Sequence, residues 1–307
     1  MRSWRLILIA TITTAFISVN HPTLANTTPV QPTSTAPRVA NGVQNIQIPE
    51  NSDVISGTVA SPAAAQEVGA LIRPTGDLQC STILLGHRSA LISGHCQGGD
   101  SLPGYKMEFG NWNRFKPEGT EQVSMITKVT PHPLYREADL NCDVAFVTLQ
   151  DRIEFTGGIA PAIFTTTRPT IATRDIISAS TYGYGITSPK GNLTSPVLKT
   201  AQAEVFLELR EEGRCDEIMF RGLDGTMWNG DSGGPFKATW KGDLNHYVIS
   251  ENSYTRGYDP VNNFMWGPDL TEPSMLTWIY TQMIANGDEW QSPVVYSQNL
   301  FLPFMSN

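Results

Sequence analysis

Short apolar stretches alternate with clusters of glycine, proline and asparagine along most of this chain, beginning near residue 54. The stretches are three to seven residues long, and almost no run has the 3.6-residue period of a helix. Many short strands separated by turn residues are typical of an all-β sandwich or barrel. The predicted strands cover residues 68–72, 83–85, 90–92, 123–129, 144–149, 176–178, 205–209 and 247–249.

One late segment has the composition of a helix. Residues 276–285 read LTWIYTQMIA, mostly good helix formers, and Asn286-Gly287 directly afterwards is a typical stop signal. The pattern therefore predicts one helix over residues 276–285. A tail over residues 287–307 carries several aromatic residues and no recognisable motif.

The first 53 residues differ in composition from the rest. A basic head precedes an apolar run over residues 6–19 and the small-x-small ending Thr23-Leu24-Ala25. This order predicts a secretory signal peptide over residues 1–25, cleaved after Ala25. A membrane anchor is the alternative, but the run is shorter than the ~20 residues that a span requires. Residues 26–53 are rich in Thr, Pro, Asn and Gln and are predicted to form a flexible leader or propeptide.

Charge and size narrow the class of protein. The chain has 307 residues, 40% of them hydrophobic, which suffices for two modest domains or one two-lobed domain. Its formal net charge of -8, with no basic cluster, argues against a nucleic-acid surface. We expect a monomer, secreted to the extracellular space or the periplasm, with no membrane association after signal cleavage. In such an oxidising compartment the four cysteines are expected to pair.

The heptapeptide NGDSGGP at residues 229–235, here called the serine loop, carries the first candidate chemistry. The hydroxyl of Ser232 becomes a nucleophile only if a neighbouring base removes its proton. The glycines allow unusual φ values and a close approach to a substrate, so the N–H groups of Gly230 and Ser232 are candidates for an oxyanion hole. Alone, the string also fits a simple polar turn.

Two other segments supply a base and an acid. ALISGHC at residues 90–96 presents His95 after an apolar strand, and NCDVAFVTL at residues 141–149 places Asp143 before a buried-looking strand. An imidazole titrates near neutral pH and suits a general base. Taken singly, His95 also fits a structural histidine and Asp143 a strand cap. With Ser232 they form a His, Asp, Ser set in chain order.

The three segments resemble the histidine, aspartate and serine motifs of the chymotrypsin/trypsin-like serine proteases, in that family's order. Further strings match the family at its usual spacings, and together they cover about residues 54–286. They are Val54-Ile55-Ser56-Gly57-Thr58, which lies 41 positions before His95 and resembles the mature amino terminus, Cys80 16 positions before Cys96, His132-Pro133, Gly267 and Trp278-Ile279.

The resemblance implies a fold and an activity. The fold is all-β, with two antiparallel six-stranded β-barrels of chymotrypsin type, over about residues 54–155 and 156–286, and a C-terminal helix. The activity is that of a serine endopeptidase that forms an acyl-enzyme on Ser232, with His95 as base and then acid, and Asp143 orienting the ring. No cofactor is required, and the substrate is a protein or peptide.

Two other functional classes compete with this reading. A catalytically inactive protease-fold module for binding or adhesion is the alternative, although such members generally lack a triad residue and here none is lost. An esterase of the other Ser-His-Asp architecture is disfavoured, because its chain order puts the serine first.

The resemblance also implies activation by cleavage. Asp231 would pair with the α-ammonium of Val54 once the preceding segment is removed, since a buried charge demands a partner. Asp53 stands before this bond in place of the usual basic residue, which disfavours self-activation and implies a separate activating protease. Arg38-Val39-Ala40-Asn41-Gly42 also resembles an activation site, but it lies 15 residues too far upstream, so we interpret it as an earlier processing point or a coincidence.

Five positions match the family's substrate pocket, namely Thr226, Ser253, Tyr254, Thr255 and Gly267. Thr226 stands where relatives that cut after Lys or Arg carry an aspartate, so a basic side chain would lose its charge partner there. We expect a small or medium uncharged residue at the cleavage point. Arg256 beside the pocket keeps an acidic preference open. The register at Ser253 is loose, because Ser250-Glu251-Asn252 competes with it.

Cysteines and a polar loop complete the predicted sites. The resemblance pairs Cys80 with Cys96. Cys142 and Cys215 either join the acid-bearing loop to the second barrel or remain free thiols. Four oxygen-bearing residues match the calcium-loop positions of trypsin-like relatives; they are Asn111, Asn113, Glu118 and Glu121. Because Asn111 replaces a carboxylate, structural calcium would bind weakly, and a solvated polar loop is the favoured alternative.

Overall fold

A computed structural model describes residues 57–97, 102–116, 118–169, 175–187, 194–255 and 263–288. The predicted signal peptide, the leader, Val54 and Arg256 lie outside these residues, as does the tail beyond residue 288. Among the described residues, no helix combines the length and the apolar character that crossing a membrane requires.

Strands dominate the described chain, as the apolar pattern predicts. In chain order the elements are β1 (Thr58–Val59), a 3₁₀ helix (Pro62–Ala64), β2 (Val68–Ile72), β3 (Leu78–Leu84), β4 (Ser89–Ile92), a 3₁₀ helix (Gly94–Gln97), β5 (Lys106–Phe109), β6 (Gln122–Pro131), β7 (Ala145–Leu149), β8 (Ile176–Gly183), β9 (Lys199–Glu208), β10 (Glu217–Gly222), β11 (Pro235–Trp240), β12 (Tyr247–Glu251), β13 (Tyr254–Thr255), β14 (Phe264–Pro268) and α1 (Pro273–Ala285).

The first six long strands form a closed antiparallel barrel in the order β2-β3-β4-β7-β6-β5. Its interior is one apolar cluster that includes Leu71, Ile92, Phe109 and Val147, each at most 1% exposed. Burial of this much apolar surface is the main force that holds the barrel together. The barrel therefore gives a rigid support to the loops that follow β4 and precede β7.

The later strands form a second antiparallel sheet in the order β12-β11-β8-β9-β10-β14-β13, and β1 pairs with β9. The predicted fold class, all-β of chymotrypsin type with a C-terminal helix, is confirmed, and in this second sheet the ladder of hydrogen bonds is open between β12 and β13. The break falls at Asn252 and Ser253, which alone separate β12 from β13. The N–H of Asn252 donates to Gly234 O and the hydroxyl of Ser253 donates to Asp143, so both residues bond to the loops of the candidate site.

Helix α1 begins three residues earlier than the predicted residue 276. Pro273 occupies the first turn, where its missing N–H costs nothing, and the Glu272 side chain accepts the N–H of Met275 at 3.0 Å. Its buried face, including Leu276 and Ile279, joins a cluster of residues from both strand systems. The helix thus packs across both sheets. Beyond it, Asp288 Oδ2 accepts the N–H of Arg88 at 2.7 Å.

A buried ion pair joins the two sheets. Lys237 Nζ, on β11, lies 2.8 Å from Glu67 Oε1, just before β2, and also donates to Ala64 O at 2.9 Å. Lys237 is 8% exposed and Glu67 5% exposed. The pair is therefore shielded from solvent, and each charge depends on the other for compensation.

Lys237→Met is expected to lower the free energy of unfolding by about 3 kcal/mol, because Glu67 would keep a buried charge without its partner. Urea denaturation measures the change. The double variant Lys237→Met/Glu67→Leu removes both charges and is expected to recover most of the loss. Equal stability of the single variant and the wild-type protein would contradict a structural role for the pair.

Candidate active site

His95 lies on the 3₁₀ helix directly after β4, at one end of the first barrel. All four residues of β4 are buried, which fixes where the strand ends, and the Cys80–Cys96 disulfide ties the next turn to β3. The His95 side chain is 30% exposed, so its ring is held by the turn but open to the cleft.

Asp143 lies directly before β7 and is almost wholly buried, with its side chain 1% exposed. Its Oδ2 lies 2.7 Å from His95 Nδ1, and its Oδ1 accepts the backbone N–H of His95 at 2.8 Å. The hydroxyl of Ser253 also donates to Oδ2. An ionised carboxylate can only accept hydrogen bonds, so the short contact requires His95 Nδ1 to be the donor. The ring proton therefore sits on Nδ1, and Nε2 keeps a lone pair.

The serine loop runs from the second sheet toward His95. Gly230 and Gly233 have φ values of 96° and 79°, a left-handed region that side-chain-bearing residues rarely adopt. A Cβ on Gly233 would lie 2.5 Å from Ser81 O, so glycine is required there sterically as well. The Ser81 N–H donates to Ser232 O at 2.9 Å, and the Ser81 hydroxyl donates to Gly230 O at 2.9 Å. Strand β3 of the first barrel therefore holds the serine loop through hydrogen bonds to two backbone carbonyls of that loop.

The backbone N–H groups of the loop divide into two kinds. Those of Asp231, Gly233 and Gly234 donate to carbonyls of the chain. Those of Asn229, Gly230 and Ser232 donate to no acceptor within the part of the chain that the structure describes, and this set includes both groups predicted for the oxyanion hole. Two neighbouring N–H groups of this kind can bind a negatively charged oxygen.

His95 and Ser232 line one cleft of about 540 Å³. Its walls combine residues of both sheets and of the loop before β7, and they include a carboxylate beside several apolar side chains. The other lining residues are Glu137, Leu140, Met227, Trp228, Asn229, Ser253, Tyr254 and Thr255. A base with an available lone pair and a serine hydroxyl therefore share one solvent-accessible space.

Comparison with known proteins assigns the family. The family model described as trypsin matches residues 54–259, more than half of the chain. This chain belongs to the trypsin family. The family membership relates this chain to hydrolases that cut proteins.

Individual relatives are distant. A renal glandular kallikrein of Mastomys natalensis is 29% identical over 178 residues, which are 51% of this chain and 65% of the kallikrein, slightly less than two thirds of its length. Granzyme B of Rattus norvegicus is 21% identical over 234 residues, 70% of this chain and 90% of the granzyme.

A solved structure agrees with the fold. Neuropsin, a serine protease expressed in the limbic system of mouse brain, superposes with a TM-score of 0.60 at 18% identity, over 74% of this chain and 98% of that chain. At this identity the likeness shows the trypsin-family fold alone.

The structure places three of the five predicted pocket residues on the cleft wall. Ser253, Tyr254 and Thr255 line it, whereas Thr226 and Gly267 are buried and are not among the lining residues. Met227 and Trp228, which follow Thr226 directly, reach the cleft instead. The part of the cleft wall that Met227 and Trp228 form, directly before the serine loop, is thus apolar.

Asp231 is a buried residue of the serine loop, with 2% of its surface exposed. Its Oδ1 accepts the N–H of Gly185 at 2.7 Å and its Oδ2 that of Trp228 at 2.8 Å. Burial raises the pKa of Asp231 to about 7, and these two hydrogen bonds only partly offset that effect. Within the described chain no cation pairs with it. Val54, its predicted partner, lies outside the described residues.

Both disulfides of this trypsin-family chain are formed as predicted. Cys80 bonds to Cys96, and Cys142 bonds to Cys215 across the two sheets. No cysteine of the described chain is free, which excludes the free-thiol alternative. Cys142 has a φ of 50°, so the residue directly before Asp143 has a constrained backbone that the second disulfide holds in place.

The predicted calcium ligands bond to their own loop. The carboxylate of Glu121 accepts the N–H groups of Glu118 and Gly119, the latter at 2.8 Å. Asn113 Oδ1 accepts the N–H of Phe115 at 3.2 Å. Only Asn111 offers a buried oxygen without a hydrogen-bond partner in the described chain. Calcium binding by these four residues stays a prediction.

The contacts of three polar residues near the site were not predicted from the sequence. Ser253 was predicted only as a pocket residue, yet it donates to Asp143. Glu251 and Ser93 are wholly buried beside the site and bond to each other. The one signal for Glu251 was a charged residue directly after an apolar strand, which also fits an exposed strand end.

Proposed function

We propose that this chain is a secreted serine endopeptidase in which Ser232, His95 and Asp143 act as a catalytic triad. The observation that carries the proposal is the 2.7 Å contact of His95 Nδ1 with Asp143 Oδ2 at the cleft that Ser232 also lines. The family, whose members cut proteins, supports a protein or peptide substrate.

The proposed reaction uses one proton carrier twice. His95 Nε2 takes the proton of Ser232 Oγ as that oxygen bonds to the scissile carbonyl carbon, and then donates it to the leaving amine. A water molecule repeats the sequence on the acyl-enzyme and releases the carboxylate product. Asp143, buried and holding both the ring and the backbone N–H of His95, stabilises the imidazolium that forms in each half.

The N–H groups of Gly230 and Ser232 are the proposed oxyanion hole. Their lack of acceptors in the described chain supports this role, because a developing oxyanion would supply the missing hydrogen bonds.

We propose a cleavage preference for small or medium uncharged residues. Thr226 offers no charge for Lys or Arg, and Met227 and Trp228 present apolar surface to the cleft. The one charged residue among those lining the cleft, apart from His95, is Glu137 on the exposed loop before Asp143.

Export and activation are part of the same proposal. Residues 1–25 would direct secretion, and removal of residues 26–53 by another protease would release the amino group of Val54. The two disulfides are consistent with an oxidising compartment.

A fluorophosphonate probe tests the proposal, because it labels only an activated serine. Protein that begins at Val54 is expected to gain one probe adduct by intact-mass analysis, located on Ser232 by peptide mapping. Ser232→Ala is the matched control and is expected to gain none. Folded protein that begins at Val54 and takes no adduct would contradict the protease proposal and favour a binding module.

A further inference from the structure

Glu251 is a buried acid that the proposed reaction does not use. It ends β12, is 0% exposed, and its Oε1 has no hydrogen-bond partner in the described chain. Its Oε2 lies 2.5 Å from the hydroxyl oxygen of Ser93. An ionised carboxylate with so few partners would be costly to bury, so the environment favours the neutral acid.

The hydrogen atoms around Ser93 lead to the same protonation state. The Ser93 hydroxyl oxygen lies 2.5 Å from Glu251 Oε2 and 2.8 Å from Asn252 O. A hydroxyl has one proton, and a carbonyl oxygen can only accept. Both contacts are hydrogen bonds only if Ser93 donates to Asn252 O and Glu251 donates a proton of its own to Ser93.

This chain of hydrogen bonds ends at the serine loop. Asn252 O also accepts the N–H of Gly233, the residue after Ser232, at 2.8 Å. Ser93 lies two residues before His95, so one carbonyl joins the histidine turn to the serine loop. The Asn252 side chain adds a second link, since its Nδ2 donates to Asp231 O at 2.9 Å.

The charges nearby disfavour ionisation of Glu251. Burial raises the pKa of Glu251 well above its usual value, and the negative charge of Asp143 raises it further; hydrogen bonding from Ser93 and from the Gly233 N–H lowers it only in part. His95 is bonded to Asp143, Lys237 on the neighbouring strand β11 is paired with Glu67, and Asp231 faces the network through its backbone carbonyl. No described cation therefore compensates a charge on Glu251.

We infer that Glu251 is a neutral positioning residue, whose carboxyl donates to Ser93 so that Ser93 can hold the Asn252 carbonyl against the Gly233 amide beside the nucleophile. This inference rests on the proposed function. Ionisation of Glu251 would draw the Ser93 proton away from Asn252 and place a second negative charge near Asp143. The expected consequence is a loss of kcat at high pH.

Two variants at Glu251 separate positioning from simple packing. In Glu251→Gln the amide N–H replaces the acid as donor to Ser93, whereas Glu251→Leu has no donor. We expect Glu251→Leu to lower kcat about 10-fold to 100-fold with little change in KM, through misplacement of the serine loop. Glu251→Gln is expected to retain most of the wild-type kcat. Its kcat is also expected to lack the high-pH decline of the wild-type protein.

Ser93→Ala provides the second test, because it breaks the chain of hydrogen bonds and leaves the acid in place. The double variant Ser93→Ala/Glu251→Leu is expected to be about as active as the more impaired of its two single variants, because both changes break the same chain of hydrogen bonds. Asp288→Asn, which changes a buried carboxyl outside the cleft, is the control and should keep the wild-type pH profile. Thermal unfolding of each variant checks that it is folded.

Three results would overturn the inference. They are a Glu251→Gln variant as impaired as Glu251→Leu, a wild-type pH profile in Glu251→Gln, and an additive rather than shared effect of the Ser93 and Glu251 changes. Failure of the proposed function is distinguishable from these, because the wild-type protein itself would then take no fluorophosphonate and hydrolyse no peptide.

Discussion

Asp143→Asn is expected to lower kcat about 10⁴-fold, the loss that the equivalent change causes in a well-studied Ser-His-Asp protease. The asparagine side chain can turn its NH₂ group toward His95 Nδ1, which lies 2.7 Å from the aspartate oxygen in the native chain. The ring would then accept at Nδ1 and carry its proton on Nε2, where it cannot take the proton of Ser232. Steady-state kinetics on a peptide substrate, normalised to the concentration of folded protein, measure the loss.

An exposed acid on the same loop is the matched control. Asp139 forms ion pairs with Arg136 and Arg214, and its hydrogen bonds to these two residues lower its pKa to about 2. Because exposed ion pairs are screened by solvent and contribute little, Asp139→Asn should leave kcat close to that of the wild-type protein. A large loss in Asp139→Asn, or a small one in Asp143→Asn, would contradict the assignment of Asp143.

Features that depend on a short contiguous stretch of sequence could be predicted. His95, Asp143 and Ser232 each lie in a short contiguous string, so motifs and spacing sufficed to single them out. The strands of the first barrel were predictable for a similar reason, since an apolar run such as Val68–Ile72 is buried along its whole length.

Other features depend on contacts between distant positions. Ser253 and Asp143 are 110 residues apart, and nothing in the local pattern at either position indicates that one donates to the other. Glu251 is similar, because a glutamate after an apolar strand has the same sequence pattern whether it is exposed or buried. The start of α1 at Pro273 had one local signal, since proline is favoured at the first helical position, whereas Glu272 is not a usual capping residue and its role is visible only in the structure.

The break in the second sheet has the same origin. Asn252 exchanges hydrogen bonds with Gly233 and Gly234 instead of extending the ladder, and this is visible only once the serine loop is folded against β12. Local propensity favours a strand through this region, and tertiary contacts override it.

Because of Asp231, the free energy of unfolding of the intact chain is expected to fall as pH rises. In the cleaved chain the same residue is expected to support activity. In the intact chain Val54 follows Asp53 in a peptide bond and has no α-ammonium to offer. Burial raises the folded-state pKa of Asp231 to about 7, above its value in the unfolded chain. An acid with a raised folded-state pKa contributes its full stability below the unfolded-state pKa, and that stability is lost as pH rises through the folded-state pKa.

The expected decline from this group between about pH 4 and pH 7 is on the order of 4 kcal/mol. Urea denaturation of the intact chain at pH 5 and pH 8 should register about 3 kcal/mol of this decline, the part that falls above pH 5. Asp231→Asn, which cannot ionise, should remove most of this pH dependence. A wild-type chain as stable at pH 8 as at pH 5, relative to Asp231→Asn, would contradict a buried, unpaired Asp231.

Cleavage should reverse the sign of the effect. In an Asp53→Arg background, trypsin can cut before Val54, and the new ammonium would compensate the Asp231 charge and lower the pKa of Asp231. The cleaved protein is then expected to gain both stability at pH 8 and fluorophosphonate labelling of Ser232, whereas cleaved Asp231→Asn gains neither. The contrary result is that cleaved Asp231→Asn protein is labelled as fast as cleaved protein that keeps Asp231. The serine loop would then be ordered without this ion pair, and the activation mechanism would have to be abandoned.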